Sequence, residues 1–214
     1  MPLLSKKPRF AKNMLKTMGV SMFAAIMMAV PAFALDKSEA EGFTDALIVE
    51  LGTIANDGAL GDGALGDDAR DRAYRGALQS RLATESIGKF LFKSVPADLP
   101  TEAQIAAYNE LFPKYIAAAF ASQIGGLAER QINVTESRAR GEDEVIVRSV
   151  LVNKSGVKKA SIDWRIREID GQPRLLDVLV ERVSPLVTKR QEFSSLAKRE
   201  GVDALLTHMK TISE

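Results

Sequence analysis

Apolar positions recur first at helical spacing, then at strand spacing, then at helical spacing again. Phe43, Leu47, Leu51 and Ile54 lie three or four residues apart, which predicts an amphipathic helix over roughly 37–56. Gly-Ala-Leu-Gly-Asp follows twice, at 58–62 and 63–67, and reads as a polar, Gly-rich loop. Helix resumes around 68–82. A shorter helical piece at 84–94 carries Ile87, Phe90 and Leu91 and stops at Pro96 and Pro100. Thr101-Glu102-Ala103-Gln104 has the form of a capping box, in which the Thr and Gln side chains satisfy backbone amides at a helix start. The helix it opens is the most apolar of this part of the chain. Ile105, Tyr108, Phe112, Tyr115, Ala119 and Phe120 share one side, and Gly125-Gly126 is expected to end it. Pro113 sits inside this helix, where a missing N–H and a ring clash predict a kink or a break.

From 130 to 183 the period changes to two. Residues 130–139 are mixed. Residues 144–152 are apolar on both faces, as in a central strand. Over 160–169, Ile162, Trp164 and Ile166 point one way, and Asp163, Arg165 and Arg167 the other. Asp170-Gly171 signals a hairpin. The next strand, 174–183, is expected to place Leu176, Val178 and Val180 on one face and Asp177 on the other. Ser184-Pro185 then has the residues of a helix N-cap and first turn. Leu186, Phe193 and Leu196 line that helix, and a last one at about 202–212 carries Leu205, Leu206, Met209 and Ile212. The expected fold class is α+β: a curved antiparallel sheet of about four strands with helices packed on one face.

The start of the chain changes the picture. Lys6, Lys7, Arg9, Lys12 and Lys16 precede the first acidic residue, Asp36. An apolar run of 13 residues, Met18 to Val30, follows, and then Ala32-Phe33-Ala34. A basic start, a short apolar middle and a small-x-small end read as a cleaved secretory signal. A spanning helix needs about 20 apolar residues, so a retained anchor is the poorer reading. There is no Arg-Arg pair for twin-arginine export and no cysteine to lipidate. The expected organisation is a signal at 1–34 and one domain at 35–214, in the periplasm of a bacterium, secreted by the general pathway.

Charge and chemistry narrow the functional classes. Taking the five signal charges from 29 basic residues leaves 24 against 28 acidic ones, a net of −4. That balance argues against nucleic acid as a partner. The absence of cysteine removes thiol catalysis and thiolate metal sites. The single histidine, His208, cannot supply a cluster of metal ligands and lies far along a helical segment. No Walker loop, GxSxG or HExxH is present. Catalytic residues, metals and cofactors are therefore not expected, and the reading is a binding protein rather than an enzyme.

Leu176-Asp177-Val178-Leu179-Val180-Glu181-Arg182-Val183-Ser184, followed by Lys189-Arg190-Gln191-Glu192-Phe193 and later by Gly201-Val202-Asp203-Ala204-Leu205-Leu206, resembles the MlaC-type family, also called the toluene-tolerance auxiliary family. Arg182 stands where that family usually has glycine, Pro185 where leucine is common, and Leu175 where an aromatic is usual. The resemblance covers most of 40–212. It implies a periplasmic phospholipid-binding carrier, with bound phospholipid as cargo, serving an ABC-type lipid transport system that maintains outer-membrane lipid asymmetry. Its implied partners are an inner-membrane ABC lipid transporter and an outer-membrane lipoprotein complex.

The resemblance further implies an apolar pocket between sheet and helices. Burying one methylene is worth about 0.8 kcal/mol, so two acyl chains would cost on the order of 25 kcal/mol to expose to water. A soluble carrier needs an equally apolar lining. Ile162, Trp164, Ile166, Leu176, Val178 and Val180 are the candidates for one wall, and Phe112, Tyr115, Ile116 and Phe120 for the other. Phe90 and Phe193 complete the lipid-binding set. Pro113 is expected to open the helix so that side chains do not fill the pocket, and Lys89, Lys93, Lys189 and Arg190 are candidates for a phosphate at its mouth. Two other readings stay open. One is a carrier of a different apolar ligand, such as a hopanoid. The other is a small enzyme in a similar pocket, for which Asp177 would be the residue to watch.

Overall fold

The computed structural model of the protein describes residues 35–57, 66–96, 98–128, 130–153 and 155–214. The expected signal and the repeated Gly-Ala-Leu-Gly-Asp segment, up to residue 65, lie outside the described residues. Among those described, four helices come first: α1 (Lys37–Asp57), α2 (Asp67–Gln79), α3 (Thr84–Phe92) and α4 (Glu102–Ala128). Four strands follow, β1 (Gln131–Ala139), β2 (Glu144–Val152), β3 (Lys158–Ile169) and β4 (Gln172–Val180), and then α5 (Pro185–Glu200) and α6 (Val202–Ser213). The strands form an antiparallel meander in the order β1-β2-β3-β4. The fold is α+β, as expected.

Local chemistry places the boundaries. Thr101 N–H donates to Gln104 Oε1 at 2.9 Å and Gln104 N–H returns to Thr101 Oγ1 at 3.3 Å, so the capping box that starts α4 is formed. Ser184 Oγ accepts from Val187 N–H at 3.2 Å with Pro185 in the first turn of α5. Asp170 and Gly171 have φ of 53° and 71°, the left-handed pair that a two-residue hairpin needs between β3 and β4. Of the kink or break expected at Pro113, the structure excludes the break, and contrary to expectation α4 continues through Gly125 and Gly126 to Ala128. Packing of its apolar face outweighs these two local signals. Tyr108, Phe112, Tyr115, Ile116, Phe120 and Ile124 are all buried.

The inner sheet face carries the core. Val147, Ser149, Ile162, Trp164, Ile166 and Val178 are buried, and Trp164 Nε1 donates to Ser149 Oγ at 2.8 Å, which satisfies the one polar atom of the indole. The structure corrects the expected face of one β4 residue, Leu176. The β3–β4 register shifts between Arg165 and Ile166: Trp164 pairs with Val178, but Ile166 pairs with Leu175. The bulge adds a residue to β4, so Leu175 takes the inner position and Leu176 does not share the face of Val178 and Val180. Asp177 stays opposite Arg165, on the outer face.

Leu175 also holds the edge of the sheet. Its N–H donates to Arg81 C=O at 2.7 Å and its C=O accepts from Ala83 N–H at 2.8 Å. The short link between α2 and α3 therefore pairs with β4 and covers part of its free edge.

The outer face is built from arginine–carboxylate pairs. Arg148 forks onto Asp163 at 2.7 and 3.2 Å and also reaches Glu136 at 2.6 Å. Arg165 forks onto Glu144 at 2.7 and 3.1 Å, with Arg167 at 3.2 Å and Arg140 at 3.5 Å. Ile146 is buried although it sits on this face, among Arg138, Arg140, Arg148 and Arg165.

The turn from β4 to α5 holds two non-glycine residues in the left-handed region, Glu181 at φ 48° and Arg182 at φ 67°. Such a conformation costs an L-residue about 1–2 kcal/mol. Arg182→Gly should therefore stabilise the protein by about 1 kcal/mol after the added chain entropy of glycine. Thermal melting should show a rise of about 2–4 °C, and an unchanged or lower midpoint would mean that the arginine side chain offsets its backbone strain.

Candidate lipid site

The largest cavity described lies between two helices. It has a volume of about 630 Å³ and is lined by Thr84, Glu85, Gly88, Lys89, Phe92 and Lys93 on the α3 side and by Tyr108, Asn109, Phe112 and Pro113 of α4. Three of its lining residues set how closely the helices meet. Gly88 is buried on the α3 face that meets α4, and a Cβ placed there would stand 3.0 Å from Phe112 Cδ1. Tyr108 Oη donates to Gly88 C=O at 3.0 Å and ties the two helices together at that point. Pro113 has no N–H to give to the carbonyl of Asn109 one turn back, and both residues line the groove.

The floor is aromatic and continues inward. Ring centroids are 4.5 Å apart for Phe92–Tyr108, 5.1 Å for Tyr108–Phe112, 6.1 Å for Phe112–Tyr115 and 5.5 Å for Tyr115–Phe193. Burial pushes the Tyr108 and Tyr115 phenols well above the usual tyrosine range, so both stay neutral donors. The rim is charged. Lys89 pairs with Glu85, while Lys93 is exposed and has no ion pair among the described residues.

A second cavity, of about 340 Å³, does lie between sheet and helices. It is lined by Ile48, Leu51, Gly52 and Asn56 of α1, Ile124, Arg130, Gln131, Ile132 and Trp164. A third, of about 170 Å³, sits where α3, the start of α5 and the outer edge of the sheet meet, and includes Phe90, Leu176 and Asp177.

The twelve candidate lining residues are thus spread over several places. Phe112 is in the α3–α4 groove and Trp164 in the sheet–helix cavity. Phe90 and Leu176 line the small third cavity. Phe193 joins the aromatic series from the α5 side. Tyr115, Ile116, Phe120, Ile162, Ile166 and Val178 are fully buried in the core cluster, and Val180 is half-buried near the end of β4. Of the four candidate cations, Lys89 and Lys93 reach the groove. Lys189 instead pairs with Glu192 at 2.8 Å, and the Arg190 guanidinium stacks on Phe90 at 4.8 Å.

Gly88, Phe92 and Asn109 were not among the expected site residues. A glycine four residues from Thr84 and from Phe92, on the face of a short apolar helix, is the sequence signal that could have found the groove.

Asp177 is held rather than free. Its carboxylate accepts from Ser184 Oγ at 2.6 Å and from Val178 N–H at 2.9 Å, and burial raises its pKa above the ordinary carboxylate range. It braces the N-cap of α5, a structural use for the residue that an enzyme reading would have singled out.

With the geometry described, comparison with known proteins decides the family. The family model for MlaC protein matches residues 68–211, well over half of the chain. The chain belongs to the MlaC family. The matched span holds α3 to α5 and nearly all of α2 and α6, so every residue of the α3–α4 groove falls inside it. Among solved structures, a phospholipid-binding protein from Ralstonia solanacearum, in complex with a phospholipid, is similar with a TM-score of 0.62. It shares 16% sequence identity, and the match covers 82% of this chain and 97% of that one. At that identity the likeness shows a shared fold.

Proposed function

We propose that this MlaC-family chain is a phospholipid carrier that works in the periplasm after loss of its signal peptide. The observation that carries the reading is the α3–α4 groove, an aromatic, apolar trough with two lysines on its rim. Apolar walls match acyl chains, and Lys93, the rim lysine that Glu85 does not pair, offers a charge to a phosphate at the chain ends. A structural neighbour that holds a phospholipid supports the same cargo here. In this reading the chain takes lipid from one membrane and gives it to another. It exchanges cargo with an inner-membrane ABC lipid transporter and an outer-membrane lipoprotein complex, and so maintains outer-membrane lipid asymmetry. Carriage of this kind asks for burial and release, and no bond-making group is assigned.

Native mass spectrometry of the exported protein, with lipid extraction, tests the reading. One phospholipid per chain supports it. A terpenoid would change the cargo, and a protein that arrives empty and takes no lipid from liposomes would overturn it. The rim is tested separately. Replacing both Lys89 and Lys93 with Gln should weaken uptake of an anionic phospholipid by about fivefold per lysine. Uptake of a zwitterionic lipid should change less. Equal uptake of the anionic lipid by wild type and variant would remove these lysines from the site.

A further inference from the structure

We infer that the outer sheet face around Arg138 and Arg182, with the exposed Val183 and Val187 beside it, docks an acidic segment of a partner protein in which apolar side chains separate the carboxylates. This goes beyond the carrier reading, which names partners but no surface for them.

The face gathers charge that the fold does not neutralise. A hollow of about 520 Å³ is lined by Arg138, Arg140, Arg148, Arg165 and Arg182, with one carboxylate, Asp163. Arg148 and Arg165 are taken up by their forks onto Asp163 and Glu144. Arg140 reaches Glu144 only at 3.5 Å, and its side chain is 55% exposed. Arg138 and Arg182 are exposed and have no ion pair among the described residues. Three such guanidiniums about one hollow repel one another, and a carboxylate placed between them relieves that repulsion. Arg182 also stands at φ 67°, a conformation that glycine would hold without strain. Strain kept at an exposed, unpaired cation calls for a use of its side chain.

The same stretch of chain adds apolar surface. Val183 is 65% exposed and Val187, in the first turn of α5, 49%. Val187 lines the cavity of about 170 Å³ together with Arg165 and Arg167. Arg165 lines both hollows, and the segment from Arg182 to Val187 gives its first residue to one and its last to the other. Two exposed valines beside two arginine-lined hollows match a peptide that alternates carboxylate and apolar side chains. An anionic bilayer is the poorer match. These arginines line recesses, and Arg148 and Arg165 are only 29% and 22% exposed, whereas a flat lipid surface meets protruding cations. The forked pairs already made on this face show that its geometry suits a carboxylate. Residues 35–214 are net acidic, so an acidic partner is steered to this face and away from the remaining surface.

The test uses the full mature protein and a fluorescently labelled peptide of alternating glutamate and leucine. Wild type should bind it at least about tenfold more tightly than a lysine–leucine peptide of the same length, and the affinity should fall as salt rises. Arg138→Gln combined with Arg182→Gln should weaken the glutamate peptide by about fivefold per arginine. Val187→Ser should weaken it without changing the salt dependence. Urea melts and lipid loading of the double variant should match wild type, because neither arginine lines the α3–α4 groove. Equal binding of the two peptides by wild type, or equal binding of the glutamate peptide by wild type and double variant, would overturn the docking face and leave the carrier reading standing. Binding of phosphatidylglycerol vesicles through the same two arginines, with no binding of the peptide, would overturn it in favour of a membrane surface. Lost lipid loading in a folded double variant would overturn it too, since the arginines would then belong to the cargo site. A wild type that binds the peptide but takes up no lipid supports the docking face and sinks the carrier reading alone.

Discussion

Gly88→Leu is expected to cut lipid loading by at least about tenfold while the protein stays folded. The argument is steric. A Cβ at position 88 would already stand 3.0 and 3.1 Å from Phe112 Cδ1 and Cε1, so the ring must move, and the open space beside it is the groove. The remaining atoms of leucine would take the place of lipid methylenes. Each methylene denied burial is worth about 0.8 kcal/mol, so excluding two of them already exceeds a factor of ten in affinity. Stability moves less. Leucine gains about 0.8–1 kcal/mol of helix propensity over glycine, against about 1–3 kcal/mol for overpacking at a site with room on one side. Loading from liposomes and a urea melt on the same preparation would check both halves. Full loading with a normal melt would show that lipid sits elsewhere, and the sheet–helix cavity beside Trp164 would be the next place to block.

The largest effect on stability is expected from Glu144→Gln. Glu144 is only 4% exposed and holds Arg165 by a fork, with Arg167 and Arg140 behind it. Removing one partner of a buried pair costs about 3–5 kcal/mol, and the lower end applies because Arg165 and Arg167 retain some water. The pH dependence has a definite sign. Burial alone would raise the Glu144 pKa, but the three arginines outweigh it and hold the carboxyl below the usual carboxylate range. A lowered folded pKa gives stability that is complete above the unfolded pKa and is lost as the pH falls through the folded one. Asp177 works in the opposite sense. Its raised pKa gives stability that is present at low pH and fades as the pH rises through the folded value. Urea midpoints from pH 3 to 7 should fall at the acid end in wild type, and Glu144→Gln should flatten that fall. A variant within about 0.5 kcal/mol of wild type at pH 7 would mean that the arginine cluster holds itself together through its other carboxylates.

Much of the fold was legible because its signals are local. The Thr101–Gln104 box, the Ser184-Pro185 start and the Asp170-Gly171 hairpin each act within four residues, and each formed as read. The alternation of Ile162, Trp164 and Ile166 also held. The bulge in β4 did not announce itself, because Leu175 and Leu176 are equally apolar and only the tie from Arg81 and Ala83 decides which turns inward. The end of α4 lay beyond Gly125-Gly126, and Pro113 did not break the helix, because both are local penalties set against a long buried face. The groove was least legible of all. Aromatic residues at helical spacing say that a face is buried, but not what buries it. Here the gap depends on a side chain that Gly88 lacks, and on which helix α3 happens to face.

The tie between Leu175 and the α2–α3 link has a mechanical side. One wall of the groove, α3, is anchored to the sheet edge through two backbone hydrogen bonds just before its first turn. The other wall, α4, belongs to the helical layer and touches α3 through Gly88 and its neighbours. The start of α3 is thus fixed to the sheet at residues 81–83 and its middle to α4 by the Tyr108–Gly88 bond, so the position of one groove wall is set by β4 as well as by its helical neighbours.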